Sequence, residues 1–200
     1  MKPKLCCSAL SGCMIGLLTT AGSLEAAVEL SLSPPEQTVQ AGVPFSLALK
    51  VAGLGNGEAP SLSTFDLEVS YDSAALEFQA AGFGDPLLGD QLELVGPGAI
   101  TEADSSLMDT VSLFELSLDS AADLNSLQAS EFTLATLTFS GLTWGATPLS
   151  VSISALGDSD GFPLTADVLG ATVTIVPEAS TFALVSLGLL ALATARRCGR

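Results

Sequence analysis

Asp158-Ser159-Asp160-Gly161 is the stretch whose residue types come closest to a metal-binding loop. Two carboxylates one residue apart, followed by glycine, open the calcium loop of an EF-hand. That loop takes further ligands at its fifth position and a bidentate carboxylate at its twelfth. Here Phe162 occupies the fifth position and Leu169 the twelfth, and neither can ligate. Asp158 and Asp160 are therefore weak metal candidates, and the tetrapeptide also fits a plain Asp/Gly hairpin turn. No cofactor is implied. Calcium held by carboxylates from several loops stays open.

A second carboxylate set lies on "FDLEVSYD", where Asp66, Glu68 and Asp72 share one parity and so one face of a strand. Glycoside hydrolysis needs two carboxylates about 5–10 Å apart in a cleft. With 22 acids in the chain, no pair is singled out. The chain has no histidine, and its cysteines are Cys6, Cys7, Cys13 and Cys198, none of them between Val28 and Val176. That middle span therefore lacks a disulfide, a Cys/His zinc site and a Cys or His nucleophile or base. No phosphate loop, nucleophile elbow or metalloprotease helix is present, and a non-enzyme is expected. Sugar-binding platforms use aligned exposed aromatics. Trp144, the only tryptophan, and Phe83 lie near turns, so Trp144 is a weak glycan-contact candidate. Tyr71, the only tyrosine, ends an inward-facing series and is expected in the core.

Charge separates the middle from the ends. The formal net charge is −16, but residues 28–176 hold 20 acids against Lys50 alone, a net of −19. Such a surface repels phosphate backbones, which excludes nucleic-acid binding. It suits solubility outside the cell, cations or a cationic partner.

The elements that must position these residues are strands. "FSLALKV" places Phe45, Leu47, Leu49 and Val51 on one face; "FDLEVSYD" does the same with Phe65, Leu67, Val69 and Tyr71. "LSVSISAL" and "GATVTIV" continue the period of two. The apolar phase shifts in "EFTLATLTFSGLTW", which predicts a bulge near Ala135-Thr136. It also shifts in "TVSLFELSLD", from Val111 and Leu113 to Phe114, Leu116 and Leu118, as in a strand covered on both faces. Gly- and Pro-rich turns separate the runs, and Ala121 to Ser130 fits one short helical turn. Many short strands without a long amphipathic helix predict an all-β sandwich over 28–176, large enough to bury a core without disulfides.

Both termini read as targeting segments. Residues 1–27 run from Lys2 and Lys4 through an apolar stretch to small residues, the layout of a secretory signal peptide cleaved between Ala21 and Ala27. Leu10-Ser11-Gly12-Cys13 also spells a lipobox, although most of the apolar run follows Cys13. At the other end, residues 179–195 are uncharged and mostly apolar. Seventeen helical residues would span roughly 25 Å, the short limit for a transmembrane helix. Arg196, Arg197 and Arg200 follow, and the positive-inside rule keeps them in the cytoplasm.

Pro177-Glu178, the apolar run and the arginines occur in a fixed order, and residues 177–200 resemble a PEP-CTERM sorting signal. The resemblance implies an exported protein of a Gram-negative bacterium that makes extracellular polysaccharide. It implies that a membrane-embedded exosortase recognises Pro177 and Glu178, and that the product passes from the inner membrane to the cell surface or matrix. Ala179 departs from the Pro-Glu-Pro element. The alternative is a permanent single-pass anchor.

The middle carries a second resemblance. A short first strand, a Gly42-Val43 step into a longer one, Tyr71-Asp72 followed by Leu76-Glu77-Phe78, and the Asp-rich turn before "GATVTIV" are similar to a cohesin domain. The resemblance implies a jelly-roll β-sandwich, related to certain carbohydrate-binding modules, that recognises another protein through one face. The expectation is thus a non-catalytic binding module for an exported protein. A structural part of the polysaccharide matrix and a carbohydrate-binding module are the alternatives.

Overall fold

The computed structural model describes residues 27–178. The predicted signal peptide, the helix at 179–195 and Arg196, Arg197 and Arg200 lie outside the described residues. Among the described residues, no helix is long and apolar enough to cross a membrane.

Eleven strands and one short helix follow in order: β1 (Val28–Ser33), β2 (Glu36–Gln40), β3 (Pro44–Ala52), β4 (Leu62–Ser70), β5 (Leu76–Phe83), β6 (Ala99–Asp104), β7 (Thr110–Ser117), α1 (Ala121–Leu127), β8 (Glu131–Gly141), β9 (Gly145–Asp158), β10 (Ala166–Leu169) and β11 (Ala171–Val176). They form two sheets, β10-β1-β3-β8-β5 and β2-β11-β9-β4-β7-β6. Pro34 and Pro35 offer no N–H to a ladder, so pairing stops there and the chain changes sheets. β1 lies against β3 and β10, whereas β2 pairs with β11. The Pro35 carbonyl accepts from Thr172 N–H at 2.8 Å, which ties the crossing to the second sheet.

The alternating runs face inward as the sequence predicts. Leu47, Leu49 and Val51 of β3 meet Leu67 and Val69 of β4, with Phe65, Phe132 and Leu113, in one buried layer. Phe139 joins an aromatic cluster, 6.1 Å from Phe45 and edge-on to Tyr71 at 5.2 Å and Phe78 at 5.6 Å. Each fully buried Leu or Phe contributes about 1.5–3 kcal/mol of transfer free energy. That suffices for a core without cross-links.

Three details differ from the sequence reading. The bulge in β8 falls at Leu134, because Thr133 pairs with Lys50 and Ala135 with Leu49. Phe83 is half-buried and stacks on Phe65 with ring centroids 6.4 Å apart, so it is no surface aromatic. β7 shows no phase change. Val111, Leu113, Glu115 and Ser117 all point inward, while Phe114 and Leu116 point outward and Leu118 follows in the open. Apolar residues on both parities concealed an unbroken alternation with a carboxyl on the buried side.

The two ends of the sandwich differ. At one, here the helix end, α1, the 84–98 loop and the 158–161 turn cover the layers. Ser120 caps α1 by accepting from Asp123 N–H, and only Leu124 of the helix is buried. Gln128 Oε1 accepts from Leu62 N–H at 2.6 Å, and its Nε2 donates to the Leu62 and Gln91 carbonyls. At the other, the exit end, β11 finishes beside the β8–β9 connection. Ala41 N–H donates to Val176 O, and Gly42, at φ +76°, donates to Gly141 O.

Candidate functional site

The outer face of β9-β4-β7-β6 is where sequence and structure depart most from a plain solvated sheet. Register puts the side chains in rows. Ser152, Glu68, Ser112 and Asp104 form one row across the four strands; Asp66, Phe114 and Glu102 lie in the next; Thr64, Leu116 and Ile100 follow. Neighbouring strands are about 4.8 Å apart and alternate residues about 6.7 Å apart. Four carboxylates thus bracket Phe114, two on β4 and two on β6. Together with Ser112 and Ser154 they line an open concavity of about 460 Å³. Ile100 is 52% exposed and Phe114 and Leu116 are partly buried, so an apolar strip runs beside the acids.

No internal cation neutralises this face. Lys50, the only basic residue among those described, lies on β3 in the other sheet, 3.7 Å from Glu131. Asp104 accepts from Ser106 N–H at 2.8 Å and Oγ at 2.9 Å; these bonds hold its carboxyl below the ordinary carboxylate range. Among the described residues, no three acids are grouped so as to hold a metal ion.

Asp66 and Glu68 are where the sequence predicts. Asp72 is not with them. It lies in the turn after β4, where its carboxylate accepts from Ala74 N–H at 2.9 Å. Glu102, Asp104 and Phe114 escaped the sequence reading. The Glu-x-Asp alternation in "AITEAD" was a usable signal for the first two.

Behind the face, Glu115 is 1% exposed, and its Oε1 lacks a hydrogen-bond partner. Burial, and then the hydrogen-bonded Asp90 carboxylate and the charge of Glu93, push its carboxyl up to about 9. It is therefore protonated at neutral pH. The loop bearing Asp90 is pinned from several sides. Ser117 Oγ donates to Leu92 O at 2.6 Å, and Asp119 Oδ2 accepts from Leu94 N–H at 2.6 Å. Asp85 anchors the loop's start by accepting from Leu87, Leu88 and Thr133 N–H groups at 2.8, 3.0 and 2.9 Å. Partial burial raises its carboxyl, but the combined backbone bonds outweigh that and lower it to about 2.

The remaining sequence candidates lie elsewhere. Asp158 Oδ1 accepts from Asp160 N–H at 3.0 Å and Phe162 N–H at 2.7 Å, so this carboxylate closes its own turn; Asp160 is exposed. Trp144 is 73% exposed in the β8–β9 connection. Phe162, 67% exposed, lies past the opposite end of the 14-residue β9, so the two rings share no platform. Pro177 and Glu178 follow β11 directly, Pro177 half-exposed and Glu178 exposed.

Comparison with known proteins bears on both parts of the chain. Residues 176–197 match the model of the PEP-CTERM protein-sorting motif. No curated protein matches the sequence. The sandwich matches solved cohesins. A chain of the Coh-OlpA–Doc918 type I cohesin–dockerin complex from Clostridium thermocellum is 13% identical, with a TM-score of 0.58, covering 75% of this chain and 99% of that one. The non-cellulosomal cohesin from the archaeon Archaeoglobus fulgidus is 14% identical, with a TM-score of 0.55, covering 78% and 96%. The sixth cohesin of scaffoldin B from Acetivibrio cellulolyticus, solved with a dockerin, is 21% identical, with a TM-score of 0.57, covering 76% and 100%. The chain thus joins a cohesin-fold sandwich to a PEP-CTERM sorting motif.

Proposed function

We infer that this protein is an exported, non-catalytic recognition module that binds another protein through the outer face of β9-β4-β7-β6. The observation that carries this reading is the burial pattern in the second half of β7. A strand that buries Glu115 and turns Phe114 and Leu116 to solvent gives up core burial on one side and exposes apolar surface on the other. Local conflicts of this kind concentrate at functional surfaces. Apolar anchors ringed by uncompensated charge are the composition of a protein-binding patch. The carboxylates select a basic partner surface and speed its approach. Cohesins solved in complex with dockerins support a protein as the partner class.

The sorting motif supplies the address. In this reading a signal peptide exports the chain through the inner membrane of a Gram-negative bacterium. The apolar segment 179–195 holds it there, with Arg196, Arg197 and Arg200 on the cytoplasmic side. An exosortase-type enzyme then acts at Pro177-Glu178 and passes the sandwich to the surface or matrix.

The test is retention of the organism's extracellular fraction on the immobilised protein, with calcium and then with chelator. Binding of one basic protein in stoichiometric amount, lost in the Asp66→Lys/Glu68→Lys variant, supports the reading. Retention of polysaccharide alone, or calcium-dependent self-association, replaces it with a carbohydrate-binding or matrix-forming role.

A further inference from the structure

The exit end carries three exposed apolar side chains around the point where the chain leaves the sandwich. Val43 is 45% exposed, Leu142 52% and Trp144 73%. Each stands next to the backbone pairs that hold the end of β11. Ala41 N–H donates to Val176 O two residues before Val43; Gly42 N–H donates to Gly141 O one residue before Leu142; Gly145, following Trp144, pairs with Ile175. The loops are braced. Leu142 N–H donates to Ala75 O at 2.8 Å, and Thr143 Oγ1 donates to Ala74 O at 2.9 Å.

We propose that Val43, Leu142 and Trp144 form a seat on a lipid bilayer, settling into the interfacial layer where the chain enters the membrane. The proposal rests on the membrane-anchoring reading of residues 179–195. Two further observations support it. The first is reach. From Val176 to Ala179 is three residues, a span of at most about 10 Å. An apolar run that enters a bilayer must therefore bring this end of the sandwich to the surface. The second is charge. In a span of net charge −19, residues 37–49 and 132–157 hold no charged side chain, and both exposed loops fall within them. The acids nearest these loops belong to neighbouring segments: Asp72, Asp109 and Glu77 accept from Ala74 N–H, Ser73 N–H and Ser140 Oγ, and Glu178 follows β11. At the helix end, by contrast, the loops themselves carry Asp85, Asp90, Glu93, Asp158 and Asp160. Trp with neighbouring aliphatic residues is the composition favoured at a membrane interface. A lone tryptophan without an aligned second ring does not make a sugar platform.

Trp144 is the sole tryptophan, so the full-length chain carries its own probe. The protein is reconstituted in phosphatidylcholine vesicles, and insertion is scored separately as flotation that resists alkaline carbonate. Lipids brominated near the headgroup should quench Trp144 emission at least about twofold in the inserted chain. The Val43→Glu/Leu142→Glu variant should insert equally and keep its melting temperature but lose the quenching. An inserted chain with fully aqueous, unquenched emission overturns the seat and leaves the anchor standing. Equal quenching in the double variant also overturns it, because tethering alone would then explain the contact. Quenching by polysaccharide but not by brominated lipid does the same. A chain that fails to insert overturns the anchoring reading and the seat with it.

Discussion

The two outer faces of the sandwich share one core and differ in what they leave unsatisfied. On β3 and β8 the outward residues are small and neutral apart from Lys50 and Glu131, which pair with each other. Ser46 lies across from Thr138 with hydroxyls 3.4 Å apart. Little there invites a partner. On β4, β7 and β6 four carboxylates surround Phe114, and no lysine or arginine among the described residues answers them. The same fold thus scatters its acids over one face and gathers four of them around an aromatic side chain on the other. On the proposed reading, recognition belongs to the second.

The largest effect that would test this comparison belongs to the core. Phe139→Ala removes the ring at the centre of the aromatic cluster and should cost about 3–5 kcal/mol in denaturant unfolding. Phe114→Ala should cost less stability than that, because its ring is only partly buried on the outer face. Partner affinity should nevertheless fall about tenfold or more. Equal stability losses in the two variants would mean that Phe114 is a core residue after all.

Charge reversal sharpens the contrast between faces. Asp66→Lys/Glu68→Lys should weaken partner binding by about a hundredfold or more and reduce its salt dependence. Ser46→Lys on the opposite face should leave titration calorimetry unchanged.

Per unit of pH, a smaller effect is expected from titration. Glu115 keeps its proton in the folded state up to about 9, against an ordinary 4.5. Between those values the unfolded chain binds fewer protons than the folded one. Stability should therefore be greatest below the unfolded value and fall as pH rises towards 9, by up to about 1.4 kcal/mol per pH unit. Glu115→Gln should flatten that decline in melts from pH 5 to 9. An unchanged slope would show that Glu115 ionises without cost. The smallest effect is Lys50→Ala. The exposed pair it breaks should be worth less than about 0.5 kcal/mol by the same melts.

Much of the fold was legible because period-two alternation leaves little choice of which face is buried. β3, β4, β9 and β11 follow their written patterns, and the short helix stands where the sequence predicts. β7 was not legible. With apolar residues on both parities, burial alone did not decide its phase, and a glutamate was an improbable inward residue. What makes Glu115 tolerable is the 84–98 loop, whose Asp90 meets it from far along the chain. The recognition face was half legible for the same reason. Asp66 and Glu68 could be placed on a strand, but Glu102 and Asp104 join them only through the β6–β7–β4 register. Asp72 was misassigned to the stripe because the strand ends at Ser70 and the turn takes its carboxylate.

Carboxylate footprinting of the bound complex tests the central claim most directly. The protein is labelled by carbodiimide chemistry alone and with its captured partner, and each acid is read by mass spectrometry. Asp66, Glu68, Glu102 and Asp104 should lose most of their labelling on binding, while Glu29, Glu77 and Glu131 on the opposite sheet keep theirs. Protection of the opposite sheet, with the four face carboxylates still labelled, would contradict the assignment of recognition to β9-β4-β7-β6.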